Sequence, residues 1–253
     1  MTVNKMFVLK NISKTYGEMR ALSSLSLIVE KGEMIALIGP SGAGKTTLLN
    51  ILANTILPDS GEVIVDGITL HAYKSTKQFA DKVGMIRQQF DLVGHLKVIH
   101  NVLAGRLKDW GFFKALLSLI IPQDSKIAES ALEKVGLKDK LYERTSSLSG
   151  GEQQRVAMAR LLVQNPQAVL ADEPVASLDP VRAKDILYML TKLASEEQQT
   201  LIASLHSVEY ARKYFKRIIA LQAGRVYFDL PVEKVTEELL SSLYSLEEEK
   251  QHE

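Results

Sequence analysis

The run Gly39-Pro40-Ser41-Gly42-Ala43-Gly44-Lys45-Thr46-Thr47 has the residue types needed to hold a polyphosphate. Gly39, Gly42 and Gly44 let the backbone take conformations closed to other residues, so that the N–H groups around Ser41 and Ala43 can curl about an anion. Lys45 supplies a point charge for the β- and γ-phosphates, the Thr46 hydroxyl suits Mg²⁺, and Thr47 can add a phosphate hydrogen bond. A glycine-rich turn that binds nothing is the plainer alternative. Further on, Asp172-Glu173 is a second chemical pair. Asp172 is suited to hold Mg²⁺ through its water shell, and Glu173 to orient or deprotonate an attacking water. Alone, such a pair would be a solvated turn or a helix start. Together the two motifs point to a nucleoside triphosphate with Mg²⁺ and to its hydrolysis.

The flanking residues predict the elements that position these groups. Met34–Ile38 is a short apolar run suited to a strand buried on both faces, and Lys45–Leu52 reads as a helix. The loop therefore joins a strand to a helix N-terminus, where the helix dipole adds positive potential. Ala168–Ala171 is another apolar strand, placing Asp172 and Glu173 at its C-terminal end, where ligands of open parallel sheets collect. Strands are also expected at 7–12 and 22–29, with a hairpin at 62–70 turning on Asp66-Gly67. Residues 88–165 read as mainly helical, including a helix opened by Asp124 and ended by Gly136. Strand and helix then alternate, with strands near Val169, Leu201, Ile218 and Val226, before an acidic end at Glu247-Glu248-Glu249.

Leu148-Ser149-Gly150-Gly151-Glu152-Gln153-Gln154 reads physically as a helix start, because Ser149 followed by Glu152 makes a capping box ahead of an amphipathic run at 153–163. The same residues resemble the signature sequence of ATP-binding cassette (ABC) ATPases, and the other motifs occur in that family's order from about residue 8 to 230. The resemblance implies an α/β fold of the P-loop NTPase type, with a mixed-sheet core, an N-terminal antiparallel β subdomain and an inserted helical subdomain. The core would comprise residues 1–87 and 166–230, the helical subdomain 88–165, and a helical tail 231–253. It also implies that Ser149 and the N–H groups of Gly150, Gly151 and Glu152 bind the γ-phosphate of ATP held by a second copy, giving a head-to-tail pair around two Mg·ATP. Tyr16 resembles the aromatic residue that stacks on adenine. Gln88 resembles the glutamine that touches Mg²⁺ and the attacking water, with Gln89 an alternative one residue away. Ser177-Leu178-Asp179 resembles the loop that crosses between subunits, Asp179 positioning the opposite site. His206, after the apolar stretch 201–205, resembles the switch histidine on the γ-phosphate.

Composition agrees. A chain of 253 residues can bury a substantial core. It has no cysteine, which excludes disulfides and thiolate metal sites, and its 31 basic and 30 acidic residues leave no nucleic-acid footprint. No apolar run approaches the ~18 residues of a spanning helix, and residues 1–11 lack the apolar stretch of a signal peptide. The chain is expected to be soluble and peripheral on the cytoplasmic face of the cell membrane, so that any transport requires separate permease subunits.

One stretch, 107–125, departs from a minimal cassette. Residues 97–126 carry five Lys/Arg against two Asp. Trp110, Phe113, Leu117 and Ile120 would share one helical face, and Phe112, Leu116 and Leu119 another. The plainer expectation is a two-sided helix packed inside the helical lobe. The sharper one is a groove beside Gln88 for a cytoplasmic helix of a membrane subunit. This stretch, with Asn101-Val102-Leu103-Ala104-Gly105-Arg106-Leu107, Ala171 to Pro180 and Ala223 to Asp229, resembles the phosphonate-importer ATPases, which include relatives handling phosphite and hypophosphite. Glu152 and Leu230, where that group often has glutamine and glycine, are departures. The resemblance implies an ATPase powering uptake of phosphonate or a related oxyanion, chosen by an external binding protein. The alternatives are another importer, an export or envelope-remodelling complex, or a non-transport ABC ATPase. The last would normally bring a second cassette, a coiled coil or a cysteine hook.

Overall fold

The computed structural model describes residues 4–118, 122–176 and 178–250. Ser177, and the Leu119 and Ile120 positions of the expected helical faces, lie outside the described residues. In chain order the elements are β1 (Lys5–Tyr16), β2 (Met19–Glu30), β3 (Met34–Ile38), α1 (Lys45–Leu52), β4 (Ser60–Val65), β5 (Ile68–Thr69), α2 (Thr76–Ala80), β6 (Val83–Ile86), α3 (Val98–Leu103), α4 (Phe112–Ser118) and α5 (Ser125–Lys134). They continue with α6 (Gly150–Gln164), β7 (Ala168–Ala171), α7 (Pro180–Glu196), β8 (Thr200–Ser204), α8 (Val208–Tyr214), β9 (Arg217–Gln222), β10 (Arg225–Pro231) and α9 (Glu237–Lys250).

Two sheets organise these elements. An antiparallel sheet runs β2-β1-β4-β5, and a mixed sheet runs β10-β9-β3-β8-β7-β6. In the second, β9, β3, β8, β7 and β6 are parallel, and β10 pairs antiparallel on the edge. The strand period of two divides its side chains cleanly. Ile35, Leu37, Leu170, Ile202 and Ile219 pack toward α1 and the antiparallel sheet. Ala36, Ile38, Val169, Ala171, Ala203 and Ile218 pack toward α6 and α7. Covered on both faces, β3, β7 and β8 are apolar at nearly every position, the pattern of central parallel strands. Their shared direction brings the loops after β3, β6, β7 and β8 out at one edge.

The sheet strands lie where the apolar runs place them, but β1 and β2 are each 12 residues long, extending the expected strands at both ends. Irregular register absorbs the extension, with Asn11 and Ser24 both at φ 49°. The β4–β5 hairpin turns on Asp66 (φ 47°) and Gly67 (φ 78°), the pair of positive values that an Asp-Gly turn supplies.

The stretch around α4 corrects the expectation of a two-sided packed helix. Trp110 precedes the helix rather than sharing its face, packs partly against the core, and donates from Nε1 to Asp124 Oδ2 at 3.1 Å. Phe113, Leu116 and Leu117 are instead exposed, Phe113 at 84%. Asp124 does stand before α5, but at φ 54° its carboxylate makes no cap to that helix. It accepts from Trp110 and from Lys114 Nζ (2.9 Å), so this acid joins two segments rather than starting one.

Candidate nucleotide site

The phosphate loop has the backbone its glycines permit. Gly39, Gly42 and Gly44 have φ of 142°, 74° and 102°. A Cβ at Gly39 would lie 2.1 Å from the Leu221 carbonyl oxygen, and one at Gly44 would lie 2.4 Å from that of Ala21. Both glycines are thus required by close backbone approach as well as by conformation. The loop ends at the N-terminus of α1, with Lys45 in the first turn and 5% exposed. Its Nζ donates to the carbonyls of Gly39 (2.7 Å) and Pro40 (2.9 Å), which hold the ammonium over the loop.

Five residues from α1 and the ends of β7 and β8 meet beside it. Thr46 Oγ1 donates to Asp172 Oδ1 at 3.2 Å. Ser204 Oγ, at the end of β8, donates to the same oxygen at 2.8 Å and accepts from the Glu173 N–H at 2.8 Å. Glu173 is a non-glycine residue at φ 47°, a sparsely populated conformation of the kind held at functional sites. Its Oε1 lies 2.6 Å from His206 Nε2. Glu173, Ser204 and His206 line a cleft of about 420 Å³ with Val175, Ala176 and Tyr210. Thr46, Asp172, Glu173 and His206 are therefore gathered at one edge of the sheet.

A hydroxyl and a carboxylate converging within 3.2 Å, with the carboxylate 8% exposed and fixed by Ser204, fit Mg²⁺. That ion takes one or two protein oxygens and fills its octahedron with water and phosphate. Thr46 and Asp172 are the residues that could hold it.

The remaining expected residues make no hydrogen bond to this cluster among the described residues. Gln88 and Gln89 are both exposed in the turn after β6, with no side-chain hydrogen bond among the described residues to distinguish them. Tyr16 ends β1 with its ring 44% exposed and Lys14 Nζ 5.7 Å from its centroid, leaving a flat face for a base. Asp179 accepts from the N–H groups of Val181 and Arg182 at 3.1 Å, so in this chain it is the N-cap of α7.

Ser149 and Glu152 form the reciprocal box at the start of α6. Ser149 Oγ accepts from the Glu152 N–H at 3.4 Å, and Glu152 Oε2 accepts from the Ser149 N–H at 2.8 Å. A further bond from the Ser149 hydroxyl to Glu152, together with that N–H, holds the Glu152 carboxyl below its usual range. Ser149 and Gly150 are exposed, and neither Ser149 nor Glu152 bonds any described residue of the phosphate loop.

Three residues to which the sequence reading gave no role of their own belong to this architecture. Ser204 joins Asp172 to Glu173; its only signal was a hydroxyl at the end of an apolar strand two residues before His206. Gln154, fully buried on α6, donates to the carbonyl of Pro174 beside Glu173. Arg160, inside the same amphipathic helix, donates to the carbonyls of Phe90 and Asp91, each at 2.8 Å.

A two-sheet α/β unit with a phosphate loop, a carboxylate pair and an exposed capped signature helix defines an ATP-binding cassette ATPase. The chain belongs to the ABC transporter family, whose model matches residues 22–176. Within that family its relatives include the phosphonates import ATP-binding protein PhnC of Pseudomonas putida, 43% identical over 93% of this chain and 88% of its own length. The protein of the same name in Shouchella clausii is 42% identical over 94% of this chain and 91% of its own length. Among solved structures, a dimeric bacterial ABC transporter cassette superposes with a TM-score of 0.77 at 35% identity, covering 90% of this chain and 99% of that one. A dimeric post-hydrolysis cassette bound to ADP and Pi gives 0.75 at 34% identity, with the same coverage.

Proposed function

We propose that this protein is the ATP-hydrolysing subunit of a membrane importer for phosphonate or a related phosphorus oxyanion. Two copies would pair head to tail around two Mg·ATP. The observation that carries the pairing is that the Ser149-Gly150-Gly151 helix start, exposed at Ser149 and Gly150, shares no hydrogen bond with the phosphate loop among the described residues of one chain. Each half presents polar groups suited to phosphate and lacks the other half beside it, as expected if a second copy completes each site.

In this reading Tyr16 stacks on adenine, the N–H groups of residues 39–47 cradle the phosphates, and Lys45 exchanges its loop carbonyls for phosphate oxygens. Thr46 and Asp172 would hold Mg²⁺, with Gln88 directed at the same place, and the ion when bound would supply neutralising charge for the phosphates. Glu173 takes the proton of the attacking water. His206, 2.6 Å from Glu173, holds that carboxylate toward the γ-phosphate. Ser149, Gly150, Gly151 and Glu152 close on the γ-phosphate of the partner's ATP, and Asp179 lies at the crossing between subunits. Binding closes the pair and hydrolysis reopens it.

The cargo follows from relatives named as phosphonate import proteins at 43% and 42% identity across most of both chains. No helix among the described residues is long and apolar enough to cross a membrane, so permease subunits would carry the pathway, with this protein peripheral on their cytoplasmic side. A cleft of about 540 Å³ lined by Ala104, Leu107, Trp110, Arg160 and Gln164, close to the loop after β6, fits a cytoplasmic helix of such a permease. An external binding protein would select the oxyanion.

The test is to tag the chain, solubilise native membranes in mild detergent and identify what co-purifies. A multispanning permease, together with a binding protein that recognises phosphonate or phosphite, is the expected result. A soluble complex with no membrane subunit overturns the transport reading and leaves the ATPase standing.

A further inference from the structure

The turn after β6 is held in an unusual way. Phe90 and Asp91 have φ of 55° and 48°, two consecutive non-glycine residues in the left-handed region, a conformation L-residues seldom adopt as a pair. Within the turn the Phe90 N–H donates to the Arg87 carbonyl at 2.9 Å, and Arg87 pairs with the Asp91 carboxylate at 3.0 Å in an exposed setting. Exposed ion pairs contribute little, so the Arg87–Asp91 pair does not account for the conformation. The stronger hold comes from α6. Arg160 donates from Nη1 to the Asp91 carbonyl and from Nη2 to the Phe90 carbonyl, each at 2.8 Å. Among the described residues its guanidinium makes no ion pair within 4.0 Å, so this cation is directed at backbone carbonyls.

The same face of α6 grips β6 at its other end. One turn beyond Arg160, Gln164 Nε2 donates to the carbonyls of Ala80 (2.9 Å) and Val83 (3.1 Å). Between the two anchors a Cβ at Gly84 would lie 2.5 Å from Leu161, so strand and helix are in close contact. Since α6 begins at Ser149, the helix start that faces the partner's nucleotide and the turn that carries Gln88 are mechanically one piece.

We infer that Arg160 is a positioning residue for ATP hydrolysis, which fixes the left-handed turn after Gln88 to the signature helix so that displacement of one carries the other. The inference rests on the proposed roles of Gln88 and Ser149. Lysine would not replace arginine here, because a point charge cannot span two carbonyls as the planar guanidinium does.

The experiment measures steady-state hydrolysis and equilibrium ATP binding by the full chain carrying Arg160→Gln, with and without Asp91→Gly. Glycine at 91 relieves one of the two left-handed residues, so the turn then depends less on an outside anchor. Arg160→Gln is expected to lower kcat by about tenfold or more and to leave the Kd for ATP within about twofold, since Tyr16 and the Lys45 loop are untouched. In the Asp91→Gly background the same change should lower kcat by less than about threefold. Arg160→Lys, expected to behave as Arg160→Gln does, carries the test if the glutamine variant fails to fold. An unchanged kcat, a loss that glycine does not relieve, or a loss confined to ATP affinity overturns the inference. Glu173→Gln serves as the control: if it hydrolyses ATP normally, the parent reading fails, whereas a dead control beside a normal Arg160→Gln sinks only the role of Arg160.

Discussion

Ser204 has one hydroxyl and two partners, and both partners are central to the site. It donates a hydrogen bond to Asp172 Oδ1 and accepts one from the Glu173 N–H, so it sets the carboxylate suited to Mg²⁺ and the strained backbone of the proposed base together. Ser204→Ala removes no volume of consequence but leaves a buried carboxylate oxygen and the Glu173 N–H short of a partner. The expected cost is about 1–3 kcal/mol, read by urea denaturation, with a fall in kcat measured beside it. No stability change would mean that the hydroxyl is redundant. Glu173→Gln tests the neighbouring role. The amide is isosteric with the acid but cannot take a proton, so ATP binding should persist while kcat falls by about 10²-fold or more, in the range a positioned base contributes. Near-normal turnover would remove Glu173 from its assigned role. The placement of Asp172 and Glu173 at the end of a strand and of Lys45 at a helix N-terminus was legible in the sequence, because it is set by neighbours in the chain. Ser204 was not, because its role exists only once β8 lies beside β7.

Among the elements, α6 joins the most functions. Its first turn carries the capping box, and the Ser149 hydrogen bonds depress the Glu152 pKa. A carboxylate with a lowered folded pKa stabilises the fold fully above its unfolded value and loses that contribution as pH falls through the folded value. Stability should therefore decline with acid below about pH 4.5, near the unfolded pKa of glutamate, and decline less steeply in Glu152→Gln. Parallel acid slopes in urea titrations of the two proteins would show that the carboxylate does not contribute. Helix, strand and hairpin positions were readable wherever hydrophobic period and turn chemistry agreed, as at β3, β7 and the Asp66-Gly67 turn. They failed at α4, where apolar side chains were assigned to the core by composition alone. Phe113, Leu116 and Leu117 have a helical spacing but stand exposed among the described residues, a fact that periodicity cannot contain. Likewise Asp124 has the residue type of a cap and spends its carboxylate on Trp110 and Lys114.

At the scale of the whole molecule, the proposed pairing makes a prediction that no single chain can fulfil. Lys45→Ala removes the phosphate cation from a subunit's own site, whereas Ser149→Arg places bulk and charge on the exposed helix start that would meet the partner's ATP. A pair of either variant alone has two damaged sites and should hydrolyse almost nothing. In a mixed pair the damage segregates: the Ser149→Arg subunit keeps its phosphate loop and meets an intact signature helix from the Lys45→Ala subunit, and the opposite site carries both defects. Equal mixing makes half of all pairs mixed, each with one sound site, so activity should return to about a quarter of the wild-type value if the sites act independently. Recovery would require that Lys45 and Ser149 of different chains serve one ATP. No recovery, in a mixture shown by cross-linking to contain mixed pairs, would mean that each chain completes its own site or that both sites must be sound at once. The single-turnover rate separates these, because one sound site in a mixed pair should still release one phosphate per pair. If even that burst is absent, the head-to-tail arrangement is wrong, and the exposure of Ser149 reflects only a well-capped helix.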